Sequence, residues 1–190
     1  MTDRTEAPSG SIRVMAGLYF VMFMIPVGLH AWRPLLRFPA YGTDFVKTML
    51  TDALFGFIVA MLVCAVSFVV ARCTRVFDEL ARGIAQTLGP VTVSEVFFVS
   101  VFSALGEEFF FRGMIQAWVG LIPASVAFGL LHLGPSRKYW PWTAFAVVMG
   151  FLLGGLYDWR ADPLLSGGVQ FTANFVNLLW GGPAQDAAKA

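Results

Sequence analysis

The sequence predicts an all-α protein, a multi-pass transmembrane bundle of about six hydrophobic helices with one short interfacial helix. Three observations predict it. Hydrophobic residues make up 57% of the 190 residues, against roughly 45–50% in an average globular domain. Charged residues make up 13%, about half of the usual ~25%, which is too few to cover a soluble domain of this size. Several apolar runs approach the roughly 20 residues that a helix needs to cross a bilayer.

The first half of the chain contains two apolar runs of spanning length. A polar tail over residues 1–11 precedes the first run, at 12–32, and the second run follows at 53–71. The first run exceeds the core of a signal peptide in length, so we expect it to be retained as a helix. A mixed stretch at 76–88 carries acidic and basic residues and is typical of a short amphipathic helix at the membrane interface.

The second half contains four further apolar runs, and a polar tail at 182–190 follows the last one. They lie at 91–119, 122–133, 143–157 and 163–180. The run at 122–133 is too short for a full lipid-facing span and favours a short or buried helix. Gly150 and Gly154 have the spacing of small residues that lets two membrane helices approach closely. We therefore expect a single bundle over residues 12–181.

Charge and cysteine content exclude some classes of function. The net charge of +1 leaves no electrostatic footprint for nucleic acid. Cys64 and Cys73 provide neither a disulfide framework nor a metal-ligand spacing. With alternating crossings, eight basic residues fall on the side of the N-terminus and four on the other side, leaving out Arg112. The positive-inside rule then predicts a cytoplasmic N-terminus.

The most informative residues are three charges within one apolar helix, Glu107, Glu108 and Arg112. A charge at the bilayer centre costs at least ~2.5–3.5 kcal/mol on insertion scales, so such groups face a partner or a cavity and indicate function. Glu108 and Arg112 have the i, i+4 spacing that favours an ion pair. Glu107 is rotated by about 100° from Glu108 and has no basic partner on its own helix.

Two other helices supply polar groups that suit hydrolysis. His132 lies near the end of the fourth run. Its imidazole, together with a carboxylate, can activate water to attack a carbonyl. Gln170 and Asn174 share one face of the sixth helix. Their amide groups are hydrogen-bond donors of the kind that stabilises a developing oxyanion. We expect these three helices to direct their polar side chains to a common interior.

With these residues the sequence resembles the CPBP (Abi) family of glutamic-type intramembrane proteases, which includes the CAAX prenyl endopeptidases. The family's motifs are two glutamates followed after three residues by arginine, then Phe-x-x-x-His, then usually His-x-x-x-Asn. They fall on Glu107, Glu108 and Arg112, on Phe128 and His132, and on Gln170 and Asn174. The resemblance covers residues 93–180, which would be the protease-like core of the bundle.

The resemblance implies a catalytic role for four positions. Glu107 would be the general base that activates water, and His132 would help to bind and orient that water. Asn174 and Gln170 would form the oxyanion hole. The family usually has histidine at position 170. Glutamine can still donate a hydrogen bond there but cannot transfer a proton.

The resemblance also implies the setting of the reaction. Glu108, Arg112 and Phe128 would support the site, and no metal or other cofactor is expected. The substrate would be a membrane-anchored or lipid-modified polypeptide, and the location would be a bacterial cytoplasmic membrane. The protein would then be an intramembrane endopeptidase that forms no covalent intermediate with its substrate.

Other interpretations remain open at this point. A catalytically degenerate family member could serve as a membrane binding, immunity or assembly partner, and glutamine at position 170 is the feature that supports it. Gln170 and Asn174 could instead be interhelical hydrogen-bonding residues without a catalytic role. A small transporter or channel subunit has less support, because only one helix carries charges within its apolar run.

Overall fold

A computed structural model describes residues 10–37, 43–73, 91–134 and 136–181, and these form helices without a strand. The helices are α1 (Gly10–His30), α2 (Phe45–Cys73), α3 (Val93–Glu108), a π-helical segment (Phe109–Ile115), α4 (Gln116–Val119), α5 (Leu121–Leu130), a 3-10 turn (Arg137–Tyr139), α6 (Trp140–Arg160) and α7 (Pro163–Gly181). Since α3, the π-helical segment and α4 follow one another without a break, the predicted all-α bundle of about six helices is confirmed. The predicted interfacial helix at 76–88 lies outside the described residues, as do residues 1–9 and 182–190 of the predicted tails.

Three of the helices are long and apolar enough to cross a membrane: Ile12–His30, Phe45–Arg72 and Trp140–Arg160. Large apolar side chains on α1 and α2 are exposed, among them Leu18 and Leu54. Such surfaces suit lipid, because a helix satisfies its own backbone hydrogen bonds and can present apolar side chains to hydrocarbon. The chain is therefore a membrane protein.

The start of α2 differs from the prediction. The apolar run was expected to begin at residue 53, whereas the helix begins at Phe45. The added turns contain Asp52, which is buried and forms an ion pair with Arg160 at the end of α6. A partner from a distant helix allows a carboxylate to lie within the bundle, and sequence hydropathy does not reveal such a partner.

Aromatic and aliphatic contacts define the helix directions. Ile12 packs with Val96 near the N-termini of α1 and α3, and Phe23 lies 4.8 Å from Phe109 between ring centroids further along. These two helices are therefore parallel. Phe175, late in α7, contacts Phe97, early in α3, at 6.0 Å between ring centroids. Thus α7 runs antiparallel to α3.

The predicted small-residue contact on α6 is confirmed. A Cβ atom at Gly150 would lie 2.8 Å from the backbone oxygen of Ser125 on α5. One turn later, a Cβ atom at Gly154 would lie 2.6 Å from Oε1 of Gln116. The amide of Gln116 also donates a 3.0 Å hydrogen bond to the Gly154 carbonyl. Glycine at both positions allows α6 to approach α4 and α5 closely.

The apolar core lies between α2, the π-helical segment, α5, α6 and α7. Its buried members come from all five elements and include Ala60, Phe111, Phe128, Leu153 and Val169. The polar residues predicted for the site on α3, the π-helical segment and α7 lie beside this core, whereas His132 follows the end of α5.

Candidate active site

A fully buried ion pair lies at the junction of α3 and the π-helical segment. Nη2 of Arg112 is 3.2 Å from Oε1 of Glu108, and both side chains are inaccessible to solvent. This is the i, i+4 pair that the sequence predicted. Burying either charge alone in an apolar interior would cost several kcal/mol, so each member permits the burial of the other.

The same arginine connects the pair to α5. Its guanidinium carbon is 4.8 Å from the centroid of the Phe128 ring, within the range of a cation–π interaction. The Phe128 ring is 4.7 Å from the imidazole of His132. Phe128 therefore lies between Arg112 and His132 and contacts both, which explains in physical terms why an aromatic residue suits this position.

The imidazole of His132 has a defined orientation. Its Nδ1 is 2.7 Å from the carbonyl oxygen of Phe128. A carbonyl only accepts hydrogen bonds, so the neutral imidazole carries its proton on Nδ1 and leaves Nε2 as an acceptor. Helix α5 before it is short, because its 10 residues rise only about 15 Å. His132, two residues beyond the end of α5, is half-buried.

Glu107 lies beside two other helices. Its side chain is buried, and the amide Nε2 of Gln170 on α7 donates a 2.5 Å hydrogen bond to Oε2. Tyr19 on α1 lies beside Glu107, because its backbone packs against Gly106, the preceding residue of α3. Tyr19 was not among the site residues predicted from the sequence. The available signal was a hydroxyl in the middle of an otherwise apolar helix.

A second polar contact lies one turn away from Glu107 on the same two helices. Nδ2 of Asn174 donates a 3.0 Å hydrogen bond to Oγ of Ser103, and that hydroxyl donates to the Ser100 carbonyl at 3.2 Å. The predicted interior stripe of Ser100, Ser103 and Glu107 is thus buried and faces α7. The amides of Gln170 and Asn174 contact two successive positions of this stripe.

The site residues therefore form two groups. Glu107, Gln170 and Asn174 lie where α3 meets α7, whereas His132 is linked through Phe128 to the ion pair. Among the described residues, no hydrogen bond or ion pair connects Glu107 with His132. His132 lies four residues beyond Phe128 and contacts its carbonyl oxygen through Nδ1.

The interior between these helices retains unused hydrogen-bonding capacity. Nε and Nη1 of Arg112 and Oε1 of Gln170 are buried and have no hydrogen-bond partner among the described residues. Buried polar groups normally have partners, so a concentration of free ones is typical of a functional interior. The described residues contain no cluster of three or more histidine, cysteine or acidic side chains that could hold a metal.

Two other residues considered from the sequence lie away from the site. Asp158, near the end of α6, forms a 3.1 Å ion pair with Arg37. His30, at the end of α1, accepts hydrogen bonds from the backbone N–H groups of Leu35 and Leu36 at 3.0 Å each. Both contacts fasten the segment that follows α1 and do not involve Glu107.

Comparison with known proteins identifies a relationship over less than half of the chain, within its second half. Residues 89–176 match the family model of Rce1-like proteins, type II CAAX prenyl endopeptidases. Uncharacterized protein YpbD of Bacillus subtilis (strain 168) is 33% identical over 87 residues, which are 45% of this chain and 42% of that protein. The match thus spans less than half of the relative's length. No solved structure matches the chain. The matched region contains all of the motif residues, and the predicted family resemblance is confirmed.

Proposed function

We propose, from the Rce1-like character of residues 89–176, that this protein is an intramembrane endopeptidase that uses a water activated by Glu107. The observation that carries the proposal is the contrast between two adjacent buried carboxylates. Glu108 is paired with Arg112, whereas Glu107 has no ion pair among the described residues and accepts a hydrogen bond from the amide of Gln170. A buried carboxylate without a counter-ion suits a general base.

The reaction begins with a water held between the carboxylate of Glu107 and Nε2 of His132. Glu107 takes one proton as the water oxygen bonds to the carbonyl carbon of the scissile peptide, and a tetrahedral intermediate forms. The C–N bond then breaks, and Glu107 returns the proton to the leaving nitrogen. No covalent bond forms between the protein and the substrate. General-base catalysis of this kind contributes about 10²–10⁴ in rate.

The developing oxyanion is stabilised by the amides of Asn174 and Gln170. Each amide group has two N–H donors, and one donor of each is already used, toward Ser103 and Glu107 respectively. The second donor of each amide serves the oxyanion. Because glutamine at position 170 cannot transfer a proton, the proton of the leaving group comes from Glu107.

The substrate is a membrane-anchored or lipid-modified polypeptide. Glu107 and Gln170 are buried among apolar helices, so a peptide already held in the bilayer reaches them at a lower cost in desolvation than a soluble one. We place the protein in a bacterial cytoplasmic membrane with its N-terminus in the cytoplasm. We also propose that the reaction requires no metal ion.

The test uses purified protein in lipid nanodiscs and two peptide probes, one with a farnesylated CAAX terminus and one with a transmembrane anchor. Mass spectrometry identifies the cleavage products. We expect Glu107→Gln to lower the cleavage rate by at least about 10²-fold, while Glu95→Gln leaves it unchanged. Glu95 is a matched control because it caps α3 far from the site, with Oε2 2.7 Å from the Thr92 backbone nitrogen.

Two outcomes would contradict the proposal. Cleavage that Glu107→Gln leaves intact would remove the general-base role. Cleavage that stops with 1,10-phenanthroline and returns with zinc would replace the metal-independent mechanism. The same experiment is run with both probes, so a preference for either one also defines the class of anchor.

A catalytically degenerate binding or assembly partner is the second candidate, and one contact favours it. The residue at the usual histidine position, Gln170, is hydrogen-bonded to Glu107 at 2.5 Å and occupies one oxygen of the proposed base. The variant Gln170→His separates the two functions. A wild type that cleaves neither probe, together with an active Gln170→His protein, would indicate a degenerate member.

A further inference from the structure

Helices α1 and α3 approach most closely next to the proposed general base. A Cβ atom at Gly106 would lie 2.6 Å from the carbonyl oxygen of Tyr19 and 3.1 Å from its Cα atom. Real Cβ atoms do not come so close to backbone, so only glycine permits this packing. The rings of Phe23 and Phe109, one turn further along, continue the contact at 4.8 Å.

This approach brings a hydroxyl from α1 to the neighbouring residue of α3. Between Arg13 and His30, Tyr19 is the one residue of α1 whose side chain can form a hydrogen bond. A hydroxyl in an apolar membrane helix requires a partner, and the carboxylate of Glu107 is one residue away from the point where Tyr19 meets α3. The first half of the chain, which carries none of the family motifs, therefore contacts the site directly.

The carboxylate of Glu107 thus has donors beside it on two helices other than its own. Gln170 on α7 donates to Oε2 at 2.5 Å, and the hydroxyl of Tyr19 on α1 is the second available donor. An ionised carboxylate has about four acceptor positions, so two bonds leave capacity for a water. Two donors on separate helices restrict the rotamers of the glutamate more than either alone.

We propose that Tyr19 is a positioning residue that orients the carboxylate of Glu107 toward the attacking water and thereby couples α1 to the protease-like core. This inference rests on the function proposed above. Tyr19 touches the base rather than the substrate, so it acts on the rate of the chemical step and not on substrate binding. A misplacement of about 1 Å at a reacting group can cost as much as 10²-fold in rate.

The first experiment tests the bond itself and does not depend on activity. Infrared difference spectra of the full-length protein identify the carboxyl band of Glu107 as the band that is lost in Glu107→Gln. Tyr19→Phe removes only the hydroxyl, and we expect it to shift this band. The shift should be absent from the double variant Tyr19→Phe/Glu107→Gln. An unshifted band would overturn the proposal.

The second experiment tests the role of the bond with the peptide probe that the wild-type protein cleaves. We expect Tyr19→Phe to lower kcat about tenfold to a hundredfold and to leave KM within about twofold. Tyr157→Phe is the matched control, because its hydroxyl accepts a hydrogen bond from the backbone nitrogen of Arg37 at 3.2 Å and not from a residue of the proposed site. It should leave both parameters unchanged.

The two experiments separate failure of this inference from failure of the proposed function. A shifted infrared band with unchanged kcat would show that the bond exists but does not position the base, and would overturn the inference. A rise in KM alone would assign Tyr19 to substrate binding and would also overturn it. A wild-type protein that cleaves neither probe would overturn the proposed function, and the infrared result would still decide whether the bond is present.

Discussion

The buried ion pair makes a quantitative prediction about stability. Replacing Arg112 with methionine keeps a long apolar side chain but removes the charge opposite Glu108. Both side chains are inaccessible to solvent, so the glutamate has no access to water once its partner is lost. Removing one member of a buried pair typically costs 3–5 kcal/mol. The cation–π contact of Arg112 with Phe128, at 4.8 Å, is lost as well.

The cost converts into a shift in melting temperature. A change of 1 kcal/mol moves Tm by roughly 2–4 °C for a chain of about 150–250 residues, so we expect Arg112→Met to lower Tm by roughly 6–20 °C. The double variant Glu108→Met/Arg112→Met should recover most of this loss, because replacement of a whole buried pair by apolar residues is often neutral or stabilising.

The assay uses a thiol that is native to the bundle. Cys64 on α2 is 2% exposed, so it reacts with a fluorogenic maleimide only when the bundle opens. Cys73→Ser in all variants leaves Cys64 as the single reporter. A Tm for Arg112→Met within 2 °C of the parent, or a double variant as unstable as the single one, would refute the reasoning that the pair is energetically coupled.

Three further predictions concern the helix packing, the oxyanion donor and the orientation in the membrane. Gly150→Ala should lower the free energy of unfolding by about 1–3 kcal/mol, because the added methyl group overpacks against α5. Gly155→Ala has open space around its Cβ position and should be neutral or stabilising in the same thermal assay. Equal losses of stability would contradict the close contact at Gly150. Asn174→Ala should lower the cleavage rate by about 10²–10³ if its amide serves the oxyanion, and an unchanged rate would leave it as an interhelical contact with Ser103. With both native cysteines removed, Trp32→Cys should react with an impermeant maleimide in intact cells while Ser136→Cys should not, and the reverse labelling would invert the predicted orientation.

The class of fold could be predicted from the sequence because composition and run length are local properties. Apolar runs of spanning length define membrane helices whatever their neighbours are. The ion pair of Glu108 and Arg112 could be predicted for the same reason, since i, i+4 geometry is a property of one helix. The sequence predicted that Gly150 lies at a close contact between helices, but it did not predict that the partner is α5.

Several features of the site could not be predicted. The π-helical segment at Phe109–Ile115 has no signal in hydropathy, because its residues are as apolar as those of an α-helix. Tyr19 was overlooked because it belongs to a helix without motifs. The actual partners of Gln170 and Asn174 were also unknown, since both amides were considered as oxyanion donors and are bonded to Glu107 and Ser103 in the resting structure.

The linear order of residues determined that this is an all-helical membrane protein, which helix carries an unpaired acid, and which residue types accompany that acid. Only the tertiary structure decided which helices contact it, with α7 and α1 as the neighbours of Glu107, and that Phe128 lies between Arg112 and His132. The physical reason is range. Hydropathy and i, i+4 pairing act within one helix, whereas the partners of a buried polar group are selected by the packing of helices that are distant in sequence.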